Sequence, residues 1–222
     1  ELFEKLTFKT QVGLDYRNFK NSSFIPAYSD DESNTNAVNF AQITKNTGIF
    51  QSLTYTNSLV YEDTYNEDHN LEFLLLSEVQ GIKTENINAS SQNPVSNEIN
   101  QLSLEGASLN SFSSEYNRVG YLGRINYNFD KKYLLAASLR YDSSSRFGEE
   151  NRWGWFQSVS AGWNISKEDF MDDTVFTNMK LRGSWGVTGN DNIGDYRYNS
   201  TLITNFIYPI AGGAGVGTTA NG

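Results

Sequence analysis

"RYDSSSRFGEENRWGWF", residues 140–156, decides how the rest of the chain is read. A strand-like run ending in Tyr141 gives way to a polar bend of Ser, Glu and Arg. Phe147, Trp153, Trp155 and Phe156 ring that bend. Amphipathic rings gathered where a strand stops are what a membrane–water interface selects, because each has an apolar body and a polar edge. In a soluble domain the same rings would have to form a small core beneath a surface loop.

Outward from this stretch the dominant signal is alternation with period two, the mark of strands with two unlike faces. Tyr133, Leu135, Ala137, Leu139 and Tyr141 share one face, with Arg140 and Asp142 on the other. The same pattern predicts strands over 6–16, near 49–61 and 71–83, and over 119–129, 159–165 and 179–187. These are about seven strands of about ten residues, the length at which a tilted strand crosses a bilayer. Tyr133 and Tyr141 are then ~26 Å apart along the strand and ~20 Å apart in height at a tilt near 40°. That is close to the ~25 Å apolar band between two aromatic girdles. The segments 18–47, 84–118 and 189 onward read as long polar loops, whereas 62–69 and 130–132 are short. Long connections on one edge and short ones on the other are the habit of transmembrane barrels.

Composition agrees by exclusion. No apolar run approaches the about 20 residues of a spanning helix, yet a barrel strand shows lipid only every second side chain. There is no cysteine and a single histidine, so thiolate metal sites and histidine-based catalysis have little to work with. A net charge of −9 argues against a nucleic-acid partner, which needs clustered Lys and Arg. The start, "ELFEKLTF", lacks the basic and apolar regions of a signal peptide. Seven strands fall short of the eight that close the smallest barrels of this kind, and the polar set is too charged for a narrow dry lumen. The expected fold is therefore all-β, an antiparallel transmembrane β-barrel arc, with 1–222 forming one partial barrel domain.

Residues Tyr116 to Tyr196 resemble the SusC/RagA family of TonB-dependent outer-membrane transporters. The resemblance is carried by "YLGRINYNFDKKYLLAASLRYDSSSRFGEENRWGWFQSVSAGWNISKEDFM" (121–171) and "MKLRGSWGVTGNDNIGDY" (179–196). "TYNEDHNLEFLLLSEVQ" (64–80) looks like the hairpin that precedes them, with His69 at its turn. Ser143, where the family often has Gly, and Gln157, where it often has Pro, depart from the pattern at strand–loop junctions. The resemblance implies a barrel of about 22 strands with a plugged lumen. It further implies a Gram-negative outer membrane, import of oligosaccharides or peptides, and three partners besides outer-membrane lipid. These are the protein's own plug domain, a SusD-like surface lipoprotein and the TonB–ExbB–ExbD complex, reached through an N-terminal part. Plug, signal peptide and closing C-terminal strand are not expected within this stretch.

The chemistry-bearing residues fit a wall better than an active site. Arg124, Arg140, Asp142 and Arg182 recur on the polar face as lumen-wall ion pairs or plug contacts. Trp153, Trp155, Tyr196 and Tyr198, near long-loop ends, are candidates for ligand or lid contact. His69 reads as a solvated turn residue. "GVGTTA" (215–220) has the spacing of a dinucleotide loop but no following acidic residue, and reads as a flexible loop. The acidic turns "SDDE" (29–32) and "EDFMDD" (168–173) lack the spacing of a calcium loop. No cofactor, no metal and no enzyme activity are expected. Two other readings are a soluble all-β carbohydrate-binding or adhesion module and an outer-membrane barrel enzyme.

Overall fold

The computed structural model describes residues 4–28, 40–92, 100–172 and 175–198, together with the backbone of 202–210 and 213–218. Its main element is a seven-stranded sheet in which each strand pairs with its neighbours in chain order. The strands are β1 (Leu6–Ile25), β2 (Gln42–Tyr65), β3 (His69–Gln92), β4 (Ser108–Phe129), β5 (Tyr133–Ser144), β6 (Trp153–Asn164) and β7 (Lys180–Gly186). A separate hairpin of β8 (Leu202–Ile210) and β9 (Gly213–Thr218) follows. The chain divides into two compact units. The first comprises 1–11, 55–79 and 117–222, and the second 12–54 and 80–116.

All seven expected strands are present in the expected order, and four are longer than expected. β1 to β4 run for 20, 24, 24 and 22 residues, twice the about ten that a bilayer crossing needs. Residues 18–25, 42–47, 84–92 and 108–118 were expected in loops and are strand. With polar side chains on both faces they carry no alternation, and pairing to neighbouring strands holds them instead. Likewise 189 onward contains the β8–β9 hairpin, and the "GVGTTA" stretch begins inside β9 rather than in a loop.

The units differ in how they bury side chains. The buried apolar side chains among the described residues, Ala41, Ile43 and Ile82, all belong to the second unit. There Ser91 Oγ accepts the Ser103 amide at 3.0 Å, and Ser103 Oγ donates to the Gln92 carbonyl at 2.7 Å. Phe19 lies over Gly48, where a Cβ would stand 2.3 Å from the ring, and the Arg17 guanidinium sits 4.1 Å from the Phe50 centroid. The first unit buries no large apolar side chain among its described residues. Leu135, Leu139, Val159, Leu181 and Trp185 are each between 47% and 62% exposed. A soluble unit of this size would bury most of such groups. Water is therefore not the solvent of that face.

Two short turns set the register of the first unit. Asn66 and Glu67 (φ 48° and 62°), and Asp130 and Lys131 (φ 49° and 53°), all occupy the left-handed region. This is the backbone of the hairpin turns that match strand twist, which ordinarily favour Asn or Asp followed by Gly. The Lys132 amide closes the second turn on the Phe129 carbonyl at 2.9 Å, and the Asp130 amide donates to the Asp68 carbonyl at 2.7 Å. Glycine at position 131 removes the Cβ conflict of a left-handed residue, which costs about 1–2 kcal/mol. Lys131→Gly is expected to raise stability by ~1 kcal/mol and Lys131→Val to lower it. Urea midpoints of the full-length protein refolded into vesicles would show the difference, and equal midpoints would refute the strain argument.

Candidate functional site

The registers of β4, β5 and β6 align aromatic rings into two rows. Tyr121 faces Tyr141, which faces Trp155; eight residues along β5, Phe129 faces Tyr133, which faces Trp163. In the first row Tyr141 stacks on Trp155 and Trp153 with centroids 4.2 and 4.5 Å away. In the second, Tyr133 lies 6.2 Å from Phe129 and 6.5 Å from Trp163. Between the rows the same face carries Ile125, Leu135, Ala137, Leu139, Val159 and Ala161 and, on β7, Trp185, while Leu181 is level with the second row opposite Trp163. Gln157, opposite Leu139, is the polar exception.

Polar groups beyond the strand ends fix the second row. Glu168, in the connection from β6 to β7, accepts the Tyr133 hydroxyl at 2.6 Å and the Trp163 indole N–H at 2.8 Å. The Tyr133 bond, then the Trp163 bond, holds this carboxyl below the usual glutamate range. His69 is not a solvated turn residue. It opens β3 with Nδ1 2.7 Å from the Tyr127 hydroxyl and its ring 4.8 Å from Phe129. A tight turn put a strand start where the sequence suggested a loop.

The opposite face is polar and internally paired. Arg140 Nε is 2.7 Å from both Asp142 carboxylate oxygens, and its Nη2 is 3.7 Å from Glu78. Gly120 makes room for this group, since a Cβ there would stand 2.5 Å from Asp142 Oδ1. Arg124 Nε donates to Asn126 Oδ1 at 3.0 Å, and Asn126 Nδ2 to Glu72 at 2.5 Å. The Ser138 and Ser158 hydroxyls are 2.7 Å apart. Arg182 is not drawn into these pairs. It lies with Lys180, Asn128, Ser160 and Ser184 along a hollow of about 850 Å³. Neither Arg182 nor Lys180 has an acidic partner among the described residues. Asn128 Oδ1 is buried there without a hydrogen bond.

At the end of the strands beside Tyr141, the loop after β7 is clasped back onto β4 and β5. Arg118 grips Asp191 through Nε and Nη2 at 2.6 and 2.7 Å. Arg146 holds Asp195 at 2.7 Å and donates to the Asp191 carbonyl at 3.2 Å. Gly194 and Tyr196 turn the chain at φ 80° and 60°. Phe156 sits on the polar face, because Cβ atoms at Gly154 and Gly189 would stand 2.9 and 2.4 Å from its ring. Trp153 and Trp155 are on the other face, in the aromatic row, whereas Tyr196 and Tyr198 belong to the clasped loop, Tyr198 against Gly148. Sequence reading missed Arg118, Arg146, Asp191 and Asp195. Their only signal is two acids four residues apart within the "GNDNIGDY" stretch.

A sheet with an open apolar face bounded by two aromatic rows, and a polar face bearing ion pairs, is an arc of a transmembrane β-barrel. No family model matches the sequence. The chain is 34% identical over 214 residues to TonB-dependent receptor P39 of Formosa agariphila, a match covering 91% of this chain and 20% of that protein. It is 45% identical over 92 residues to TonB-dependent receptor SusC of Bacteroides thetaiotaomicron, covering 40% of this chain and 9% of SusC. Among solved structures, the RagAB peptide importer in its open-open state superposes with a TM-score of 0.81 at 27% identity. That match covers 99% of this chain and 24% of the RagAB chain. The chain belongs to the SusC/RagA family of TonB-dependent receptors, as a stretch of the barrel. It spans about a fifth of the length of the first of these relatives.

The clasp gives a pH prediction. Burial alone would raise the pKa of Asp191; the Arg118 bond, the Ser144 hydroxyl and the charges of Arg118 and Arg146 outweigh it and hold the carboxyl below the usual aspartate range. A depressed folded-state pKa contributes stability above the unfolded value and loses it as pH falls through the folded one. In the full-length protein, protease protection of 187–198 is expected to persist at neutral pH and to fail only below the ordinary aspartate range. Asp191→Asn should weaken protection at neutral pH and flatten the acid dependence. An unchanged acid profile in that variant would contradict the clasp.

Proposed function

We propose that this chain supplies part of the wall and several extracellular loops of an outer-membrane importer that takes up oligosaccharides or peptides in a Gram-negative bacterium. The observation carrying the proposal is the unlike character of the two faces in a sheet that superposes on the RagAB peptide importer. The relatives named as TonB-dependent receptors support the same reading. Import would draw on the TonB–ExbB–ExbD complex through the whole protein's plug, with a SusD-like lipoprotein at the outer opening.

Within this reading the polar-face residues divide by their partners. Arg140, Asp142 and Glu78 neutralise one another and stiffen the wall; at their partial exposure each pair contributes ~0–1 kcal/mol. Arg124 is tied to Asn126 and belongs with them. Arg182 and Lys180, which lack acids, together with the unbonded Asn128 oxygen, are suited to receive polar groups of a plug. The ligand or lid role falls to Tyr196 and Tyr198, since Trp153 and Trp155 face the lipid side. A soluble binding module would need a second sheet over the apolar face, and none of the described residues covers it. A barrel enzyme would need His69 beside a nucleophile, whereas its bonded partner is a phenol.

The test uses the whole gene in its own host. Deletion is expected to abolish uptake of one class of labelled oligosaccharide or peptide, and unaffected uptake of all of them would refute the importer. Lys180→Glu with Arg182→Glu should leave heat-modifiable barrel assembly intact and lower uptake at least ten-fold. Full uptake by that variant would remove the plug-contact role while leaving the importer standing.

A further inference from the structure

Side chains alternate along β1, so Asp15, Arg17 and Phe19 share the face opposite Val12, Leu14 and Tyr16. Asp and Arg suit that polar face, whereas a phenylalanine does not. Burial does not explain the ring, since Phe19 remains 38% exposed. The strand beside it gives way instead. A Cβ at Gly48 of β2 would stand 2.3 Å from Phe19 Cζ and 2.7 Å from Cε1. Glycine in a strand interior weakens the strand and marks close approach to its backbone. Here it lets the ring lie against β2 on one side and open on the other. The Thr47 hydroxyl, donating to the Phe19 carbonyl at 3.4 Å, ties the two strands at this point.

Next to the ring stands a fixed polar edge. The Arg17 guanidinium is held over the Phe50 ring, 4.1 Å from its centroid, by a cation–π contact. Its Nη2 is 3.1 Å from Asp15 Oδ2, and both side chains are more than half exposed. The pair has no net charge, so it does not call for an ionised group. It suits hydroxyls, which accept from a guanidinium and donate to a carboxylate. A pyranose brings both parts at once, a flat face of C–H bonds for the ring and hydroxyls at its edge. A peptide side chain stacked on Phe19 would bring no such edge. Phe112, 60% exposed and eight residues from Gly120 on the polar face of β4, supplies a second ring. β4 is three strand spacings from β1, ~14 Å, the span of a few linked sugars.

We propose that Phe19, Arg17 and Asp15 form a binding site for a neutral oligosaccharide, with one pyranose stacked on the ring and its hydroxyls on the ion pair. This rests on the importer reading, because this face must line the solute path, and it narrows that reading to an uncharged sugar.

Printed arrays of neutral oligosaccharides, uronate-containing oligosaccharides and peptides, probed with the full-length protein in mild detergent, test it. The wild type is expected to capture a neutral oligosaccharide. Affinity for that sugar should fall about ten-fold in Phe19→Ala, the loss of one aromatic contact, and return in Phe19→Tyr. Gly48→Ala, whose Cβ displaces the ring, should weaken it as well, and Phe8→Ala, on the other face of β1, should not. Capture of uronates or peptides alone, capture of nothing, or full affinity in Phe19→Ala would overturn the site. Those results leave the importer standing, which falls only if gene deletion spares all uptake. Should Phe19→Ala fail to assemble, 4-fluorophenylalanine at position 19 gives a second measure. Its fluorine resonance is expected to shift when the captured sugar is added, while the same label at position 8 stays unmoved. No shift at position 19 would overturn the proposal.

Discussion

Backbone hydrogen bonding between neighbouring strands is the constraint on which the structure depends. In hydrocarbon each unpaired N–H or C=O costs several kcal/mol, so a chain with one face in lipid must satisfy its backbone within the sheet. The antiparallel ladders from β1 to β7 do this without any help from a hydrophobic core. The first unit can then leave its apolar face uncovered, and side chains are free to encode two solvents, one on each face.

Much follows from that freedom. Rings accumulate where hydrocarbon meets water, at Tyr121, Tyr141, Trp153 and Trp155 near one end and at Phe129, Tyr133 and Trp163 near the other. Glu168 ties Tyr133 and Trp163 to the connection between β6 and β7. On the polar face charge is neutralised side by side, with glycines cut out beneath the bulky groups. Two cations without an acidic partner among the described residues, Lys180 at the start of β7 and Arg182, stand along a hollow that Glu62, Asp63 and Glu72 also line.

The sequence revealed these features unevenly, for physical reasons. The alternation in β5 gave both faces and the spacing of the girdles, because lipid imposes a period of two. The outer lengths of β1 to β4 carry no such period; Asn and Ser populate both their faces, so strands of up to 24 residues looked like loops. Phe156 belongs to the polar face, which alternation predicts once Trp153 and Trp155 are assigned to the other. The clasp was illegible because Arg118 and Asp191 are 73 residues apart and Arg146 and Asp195 are 49 apart. His69 was misread because a three-residue turn left it in a strand. The family resemblance was legible in 121–171 and 179–196, and those stretches contain both the girdle and the acids of the clasp.

A bilayer-facing wall requires that the two faces of β5 meet different solvents. The chain lacks cysteine, so spin labels can be attached singly at 133 to 141 of the full-length protein in vesicles, with any other cysteines removed. Collision rates with oxygen, which concentrates in hydrocarbon, and with a water-soluble nickel chelate would then be measured at each site. Between the girdles, at 135, 137 and 139, oxygen should dominate strongly. At 134, 136, 138 and 140 it should not, giving a strict period of two. Equal oxygen exposure at odd and even positions, or chelate access at 137 matching that at 136, would contradict a bilayer-facing wall.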